Sequence, residues 1–134
     1  MSGPADGVGL AAPPFWVHAS GVVQFDRTRV MAIVNVTPDS FSDGGLLHDG
    51  EAVDETSVRD RIAAVMRQGA DFVDIGGEST RPGAAPVDPD EEIARVVPAV
   101  RIAARLGATV SIDTPRSKVA AAAVPAGAAI VNDI

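Results

Sequence analysis

The chain contains no cysteine, which excludes a disulfide framework, a thiolate metal site and a cysteine nucleophile. That absence fits a cytoplasmic protein. Its two histidines, His18 and His48, have no partners at metal-ligand spacing and read as surface or loop residues. No apolar run approaches the roughly 18 residues that a membrane span needs, so no membrane partner is expected. Aromatic side chains are few, four Phe and one Trp, so the core must be built from Val, Ile, Leu and Ala. Basic residues are outnumbered, 11 against 18 acidic ones, and are scattered rather than clustered. The net charge of −7 argues against a nucleic-acid partner. It leaves room for an anionic small molecule, because a local site can be positive on an acidic protein. The first 14 residues are small and rich in Pro and Gly, with no basic cluster ahead of an apolar stretch. They read as a disordered leader, not a signal peptide.

What remains is ordinary for a globular domain: 46% apolar and 22% charged residues over a length that suits a single domain, 15–134. Phe15 to Val23 and Gln24 to Arg29 form a predicted hairpin around Ala19-Ser20-Gly21, with Phe15, Val17, Val22 and Phe25 available for packing. Four apolar runs follow, at Val30–Val34, Phe72–Ile75, Thr109–Ile112 and Ala129–Val131, each read as a strand buried on both faces. Between them lie three helical patterns. Val58, Ile62, Val65 and Met66 repeat at spacings of three and four, as do Ile93, Val96, Val97, Val100 and Ala104. Pro98 should bend or split the second helix. Thr114 is placed to cap the third, with Pro115 at its first position and Pro125 in its last turn. Gly69-Ala70, Gly107-Ala108 and Gly127-Ala128 each follow a helix and precede a strand, where glycine suits the left-handed residue that ends a helix. The order β-α-β-α-β-α-β implies a parallel sheet with right-handed crossovers. The pattern alone admits a closed barrel or an open, doubly wound sheet.

In parallel β/α folds the site lies at the carboxyl ends of the strands. Here those ends read Asn35-Val36-Thr37-Pro38-Asp39, Gly76-Gly77-Glu78-Ser79-Thr80-Arg81, Asp113-Thr114 and Asn132-Asp133. Each residue has a plain structural alternative. Asn35 can open an Asx-turn before Pro38, Asp113 can cap the next helix, and Asn132 can simply end its strand. Asp74, inside an apolar run, reads as a buried, hydrogen-bonded structural carboxylate. Asp88 to Glu92 read as the acidic first turn of the second helix. Four polar endings in register, however, favour a shared site. The loops Thr37–Gly45 and Gly76–Ala85 combine glycine, hydroxyl and charged residues, which suits contact with anions and closure over a substrate. Phe41 is an aromatic in an otherwise polar loop and can stack on a ring.

Asn35-Val36-Thr37-Pro38-Asp39-Ser40-Phe41-Ser42-Asp43-Gly44-Gly45 resembles the first signature of the dihydropteroate synthases. Gly69-Ala70-Asp71 through Asp74-Ile75-Gly76-Gly77-Glu78-Ser79-Thr80-Arg81-Pro82-Gly83-Ala84 resembles their second, and Ser111-Ile112-Asp113-Thr114 and Val131-Asn132-Asp133-Ile134 are similar to the family's third and fourth strand ends. The resemblance implies a (β/α)8 TIM barrel, of which this chain holds about the first four strands and three helices. It also implies a transferase of folate biosynthesis that joins 4-aminobenzoate to the methylene carbon of a dihydropterin diphosphate, releasing diphosphate with the help of Mg²⁺. By that resemblance Asn35 helps hold the Mg²⁺–diphosphate, and Thr80, Asp113 and Asn132 sit on the pterin side. Phe41 and Pro82 lie near the aminobenzoate ring, where sulfonamides also bind, and Arg81 steadies the departing diphosphate.

The residue types suit such chemistry. A pterin edge carries donors and acceptors, which a carboxylate beside an amide can read. Diphosphate leaves readily once its charge is neutralised, and the amine needs little activation, so positioning dominates. Family members close the barrel with four further β/α units that carry another pterin-binding Asp, a Lys, and an Arg and His for the diphosphate, together with most of a homodimer surface. The expectation is therefore a fragment without turnover of its own. Two other readings stand beside the enzyme: a non-catalytic pterin-binding paralogue, and a pterin- or folate-dependent methyltransferase domain. The Ser-Phe-Ser-Asp-Gly-Gly and Glu-Ser-Thr-Arg-Pro-Gly loops favour the synthase over the methyltransferase.

Overall fold

A computed structural model of the chain describes residues 11–41, 54–79 and 81–134. Of the expected leader, residues 11–14 are exposed coil and the rest lies outside the described residues, as do His48 and residues 42–45 of the first polar loop. A two-stranded antiparallel hairpin, β1 (Phe15–His18) and β2 (Gly21–Gln24), precedes a four-stranded parallel sheet. The parallel strands are β3 (Met31–Asn35), β4 (Phe72–Gly76), β5 (Thr109–Asp113) and β6 (Ile130–Asn132), in sequential order β3-β4-β5-β6. A short turn of helix, α1 (Pro38–Phe41), follows β3, and three longer helices make the crossovers: α2 (Glu55–Arg67), α3 (Pro89–Arg105) and α4 (Ser117–Ala126).

The strand order decides between the two architectures left open above. A doubly wound sheet reverses direction at a switch point, whereas here each strand pairs with the next in sequence. With right-handed crossovers, all three helices then lie on one face, as in the arc of a barrel. Val34, Val73, Ile75, Val110 and Ile112 form one cluster with Val58 and Ile62 of α2, with Val96, Val100 and Ala103 of α3, and with Val119 and Ala123 of α4. Burying each of these Val and Ile side chains contributes about 1.5–3 kcal/mol, which makes this layer the main source of stability. Gly69, Gly107 and Gly127 all take positive φ between helix and strand, so the small repeat seen in the sequence has the expected backbone role.

Several local expectations need correction. Burial on both faces holds for β4 and β5, but Ile33 of β3 is 63% and Val131 of β6 is 49% exposed, because each lies on an edge strand with a side that no described element covers. The hairpin turn falls at Ala19-Ser20, so β2 starts at Gly21. The pairing Trp16↔Val23 then puts those two side chains on one face and sends Phe15, Val17 and Val22 to the other, where they are exposed; Phe25, beyond β2, is exposed as well. It is Trp16 that reaches the sheet, its ring 6.1 Å from that of Phe72. Pro98 does not split α3, which runs unbroken from Pro89 to Arg105. Nor does Thr114 cap α4: that helix starts at Ser117, and the Thr114 hydroxyl instead accepts from the Arg116 N–H at 3.2 Å. Pro115 restricts Thr114 to extended backbone, so a turn separates strand from helix. Asp88 caps α3 and Asp90, Glu91 and Glu92 form its acidic first turn as expected, with Glu92 buried.

Candidate active site

Parallel register aligns the carboxyl ends of all four strands. Asn35 pairs with Gly76, Gly76 with Asp113, and Asp113 with Asn132, forming a continuous row across the sheet. Side chains alternate along a strand, so this row stands on the face opposite the helices. Gly76 leaves the middle of the row open: a Cβ there would lie 3.1 Å from Asn35 Oδ1 and 3.7 Å from Asp113 Oδ2. Two residues earlier on the same face lie Asp74 and Ser111, themselves paired in register. Both are buried, and Asp74 Oδ1 and Ser111 Oγ have no hydrogen-bond partner among the described residues. The other Asp74 oxygen accepts from Asn132 Nδ2 at 3.3 Å.

The electrostatics of this face are those of crowded carboxylates. Partial burial raises the pKa of Asp113 above its ordinary value of 3.8, and the nearby charges of Asp74 and Glu92 push in the same direction. Such a group favours a ligand that brings N–H donors or positive charge to it.

The loop after β4 is anchored at its base rather than along its length. Arg116, just before α4, bridges Glu78 at 2.6 Å and the buried Glu92 of α3. Arg95 of α3 donates to the Gly77 carbonyl at 3.0 Å. Gly77 is required here, since a Cβ would come within 2.7 Å of Val96 Cγ1. A cleft of about 330 Å³ opens between this loop and the start of α1, lined by Thr37, Pro38, Ser79, Ala84, Pro86 and Arg95.

Of the residues singled out from sequence, Asn35, Asp113 and Asn132 come together in the row. Arg81 and Pro82 are exposed in the turn after Ser79, outside that row. Phe41 is half-buried at the end of α1, packs against the core cluster, and lines a small cavity with Ile33, Asn35 and Arg61. Packing already occupies part of its surface, in addition to any stacking role. Thr80 lies outside the described residues. Among the described residues no cluster of three His, Cys, Asp or Glu could hold a metal ion. Asn35 can offer one amide oxygen, which suits Mg²⁺ held largely by water and substrate phosphates. Sequence reading missed Arg116, Glu78 and Glu92 as a unit, since they are separated by 38 and 24 residues.

A family model described as pterin binding enzyme matches residues 31–134, the whole parallel sheet with its helices. The chain belongs to the pterin-binding enzyme family. Over 118 residues, covering 81% of this chain and 37% of the relative, it is 49% identical to a dihydropteroate synthase of Bacillus subtilis. Among solved structures it is similar to Xanthomonas albilineans dihydropteroate synthase with 4-aminobenzoic acid, at TM-score 0.71 and 45% identity, covering 87% of this chain and 42% of that one. It is also similar to Burkholderia cenocepacia dihydropteroate synthase complexed with 7,8-dihydropteroate, at TM-score 0.75 and 39% identity, over 92% and 39% of the two chains. The chain thus spans roughly two fifths of these pterin-binding relatives, and its sheet is an arc of their (β/α)8 barrel.

Proposed function

We propose that these residues form the pterin side of a dihydropteroate synthase site. The amine nitrogen of 4-aminobenzoate attacks the methylene carbon of a dihydropterin diphosphate, the carbon–oxygen bond to diphosphate breaks, and the amine gives up a proton. The observation that carries this reading is the in-register row Asn35–Gly76–Asp113–Asn132. It sets a carboxylate and an amide side by side, the pair that a 2-amino-4-oxo heterocycle with several N–H groups requires. Asp113 and Asn132 bind the pterin edge, together with Thr80. Asn35 supplies an oxygen toward Mg²⁺–diphosphate at the other end of the row, and Gly76 keeps the path between them clear. Mg²⁺, when bound, neutralises charge on the leaving group. Arg81, in the exposed turn after Ser79, steadies the diphosphate, and Pro82 and Phe41 flank the aminobenzoate ring, the position at which sulfonamides compete.

Relatives named for this activity, one with 4-aminobenzoic acid bound and one with 7,8-dihydropteroate, support the reading. On this reading the intact protein is a cytoplasmic homodimer. No helix among the described residues is long and apolar enough to cross a membrane. The test is direct: incubate the intact protein with dihydropterin diphosphate, 4-aminobenzoate and Mg²⁺, and follow dihydropteroate and diphosphate together. Equal formation of both is expected. Pterin binding without either product would reduce the protein to a pterin-binding module.

A further inference from the structure

Asp74 is a buried carboxylate that the proposed reaction does not use. It interrupts the apolar strand β4, is 3% exposed, and stands on the same face as the row of strand ends, two residues below Gly76. Its one protein hydrogen bond among the described residues comes from Asn132 Nδ2, on β6, 58 residues later in the chain. No charged partner balances it: the salt bridges of the described residues involve other carboxylates. A buried acid without a cation costs stability, so a purely structural role at this position would be better served by an apolar or amide side chain.

The bond to Asn132 has a directional consequence. A carboxylate accepts and does not donate, so the asparagine atom facing Asp74 must be the nitrogen. The amide is thereby held in one of its two orientations, with its carbonyl oxygen on the side away from Asp74. We infer that Asp74 is a positioning residue that orients Asn132 so that the site presents an acceptor, not a donor, beside the Asp113 carboxylate. Two adjacent acceptors select a ligand edge made of neighbouring N–H groups, such as an amino-substituted ring with an adjacent ring N–H. A ligand edge carrying an acceptor at that place is rejected. Asp74 Oδ1 and Ser111 Oγ, on residues paired in register, are buried without a hydrogen-bond partner among the described residues, so the group that Asp74 holds there is Asn132. This inference rests on the pterin reading for its ligand, but the Asp74–Asn132 link itself does not.

The experiment is a double-mutant cycle on the intact protein with 6-hydroxymethylpterin as the calorimetric probe, combined with side-chain amide NMR of Asn132. Asp74→Ala should weaken binding about tenfold in the wild-type background and less than about twofold when Asn132 is already alanine. The Asn132 Nδ2 protons should shift toward free-amide values in Asp74→Ala. They should move part of the way in Asp74→Asn, which keeps the volume and an acceptor and serves if the alanine variant does not fold. An equal loss of affinity in both backgrounds, no loss in either, or unmoved Asn132 amide signals would overturn the inference. If the wild type does not bind the pterin but the amide signals respond as stated, the pterin reading fails and the positioning role stands.

Discussion

Asp71 stands just before β4 at one end of the sheet and Asp113 closes β5 at the other, and their surroundings differ in kind. Asp71 accepts from both Arg27 and Arg29 and from the Val30 N–H, which ties the segment after the hairpin to the foot of the sheet. The Arg27 hydrogen bond, then the Val30 amide, hold its carboxyl well below the usual carboxylate range. Asp113 has no such partners among the described residues, and burial beside Asp74 and Glu92 moves it the other way. One carboxylate is saturated and serves the fold. The other is left short of donors among the described residues, at a cost in stability, and on the proposed reading serves binding. This division agrees with the general rule for β/α barrels, in which one end carries stability and the carboxyl ends carry chemistry.

The largest effect should come from neither carboxylate but from the layer beneath them. Ile112→Ala, one residue before Asp113 and fully buried, should cost about 2–5 kcal/mol, read by denaturant unfolding. If it cost less than 1 kcal/mol, the helix-facing core would not be the layer that sets the rim. Next, Asp113→Asn should lower pterin affinity by about tenfold to a hundredfold. Its melting temperature at neutral pH should stay level or rise, because a raised-pKa carboxylate is removed. Gly76→Ala, whose new methyl would crowd Asn35 Oδ1, should weaken binding by a smaller factor, roughly threefold to tenfold, with little change in melting temperature. Asp71→Asn should do the reverse, lowering the melting temperature by roughly 5 °C while leaving pterin affinity unchanged.

The smallest effect is the pH dependence of stability, and it has a definite sign. The depressed Asp71 contributes stability that is present above its ordinary 3.8 and lost as the pH falls below it. The raised Asp113 carries a penalty that is present above its folded value and relieved as the pH falls from there toward 3.8. As the pH falls, the melting-temperature gap between wild type and Asp113→Asn should therefore close above 3.8, and the gap between wild type and Asp71→Asn should close below it. Coincident profiles for the two variants would erase the distinction between the ends.

Much of this is legible in the sequence alone. Four apolar runs each ending in a polar residue gave the parallel sheet and put Asn35, Asp113 and Asn132 at one end, because strand direction and side-chain alternation are local properties. Parallel register then turned three separate endings into one row. The pairings that support the row were not legible. Asn132 finds Asp74, Arg116 finds Glu78, and Arg27 finds Asp71 across 58, 38 and 44 residues, and no periodicity in the sequence links them. Glu92 looked like one more acid in the first turn of a helix until Arg116 gave it a partner. Thr114 looked like a helix cap until the turn at Pro115 pushed the start of α4 to Ser117.

The claim that matters most is that the row closing β3 to β6 is where the pterin binds. Calorimetric titration of 6-hydroxymethylpterin into the intact protein, side by side with Asp113→Asn and Asp71→Asn, tests it in one measurement. The account predicts binding by wild type and Asp71→Asn with matching affinity, and loss of at least about tenfold for Asp113→Asn. Equal binding by all three proteins, or loss only in Asp71→Asn, would contradict it.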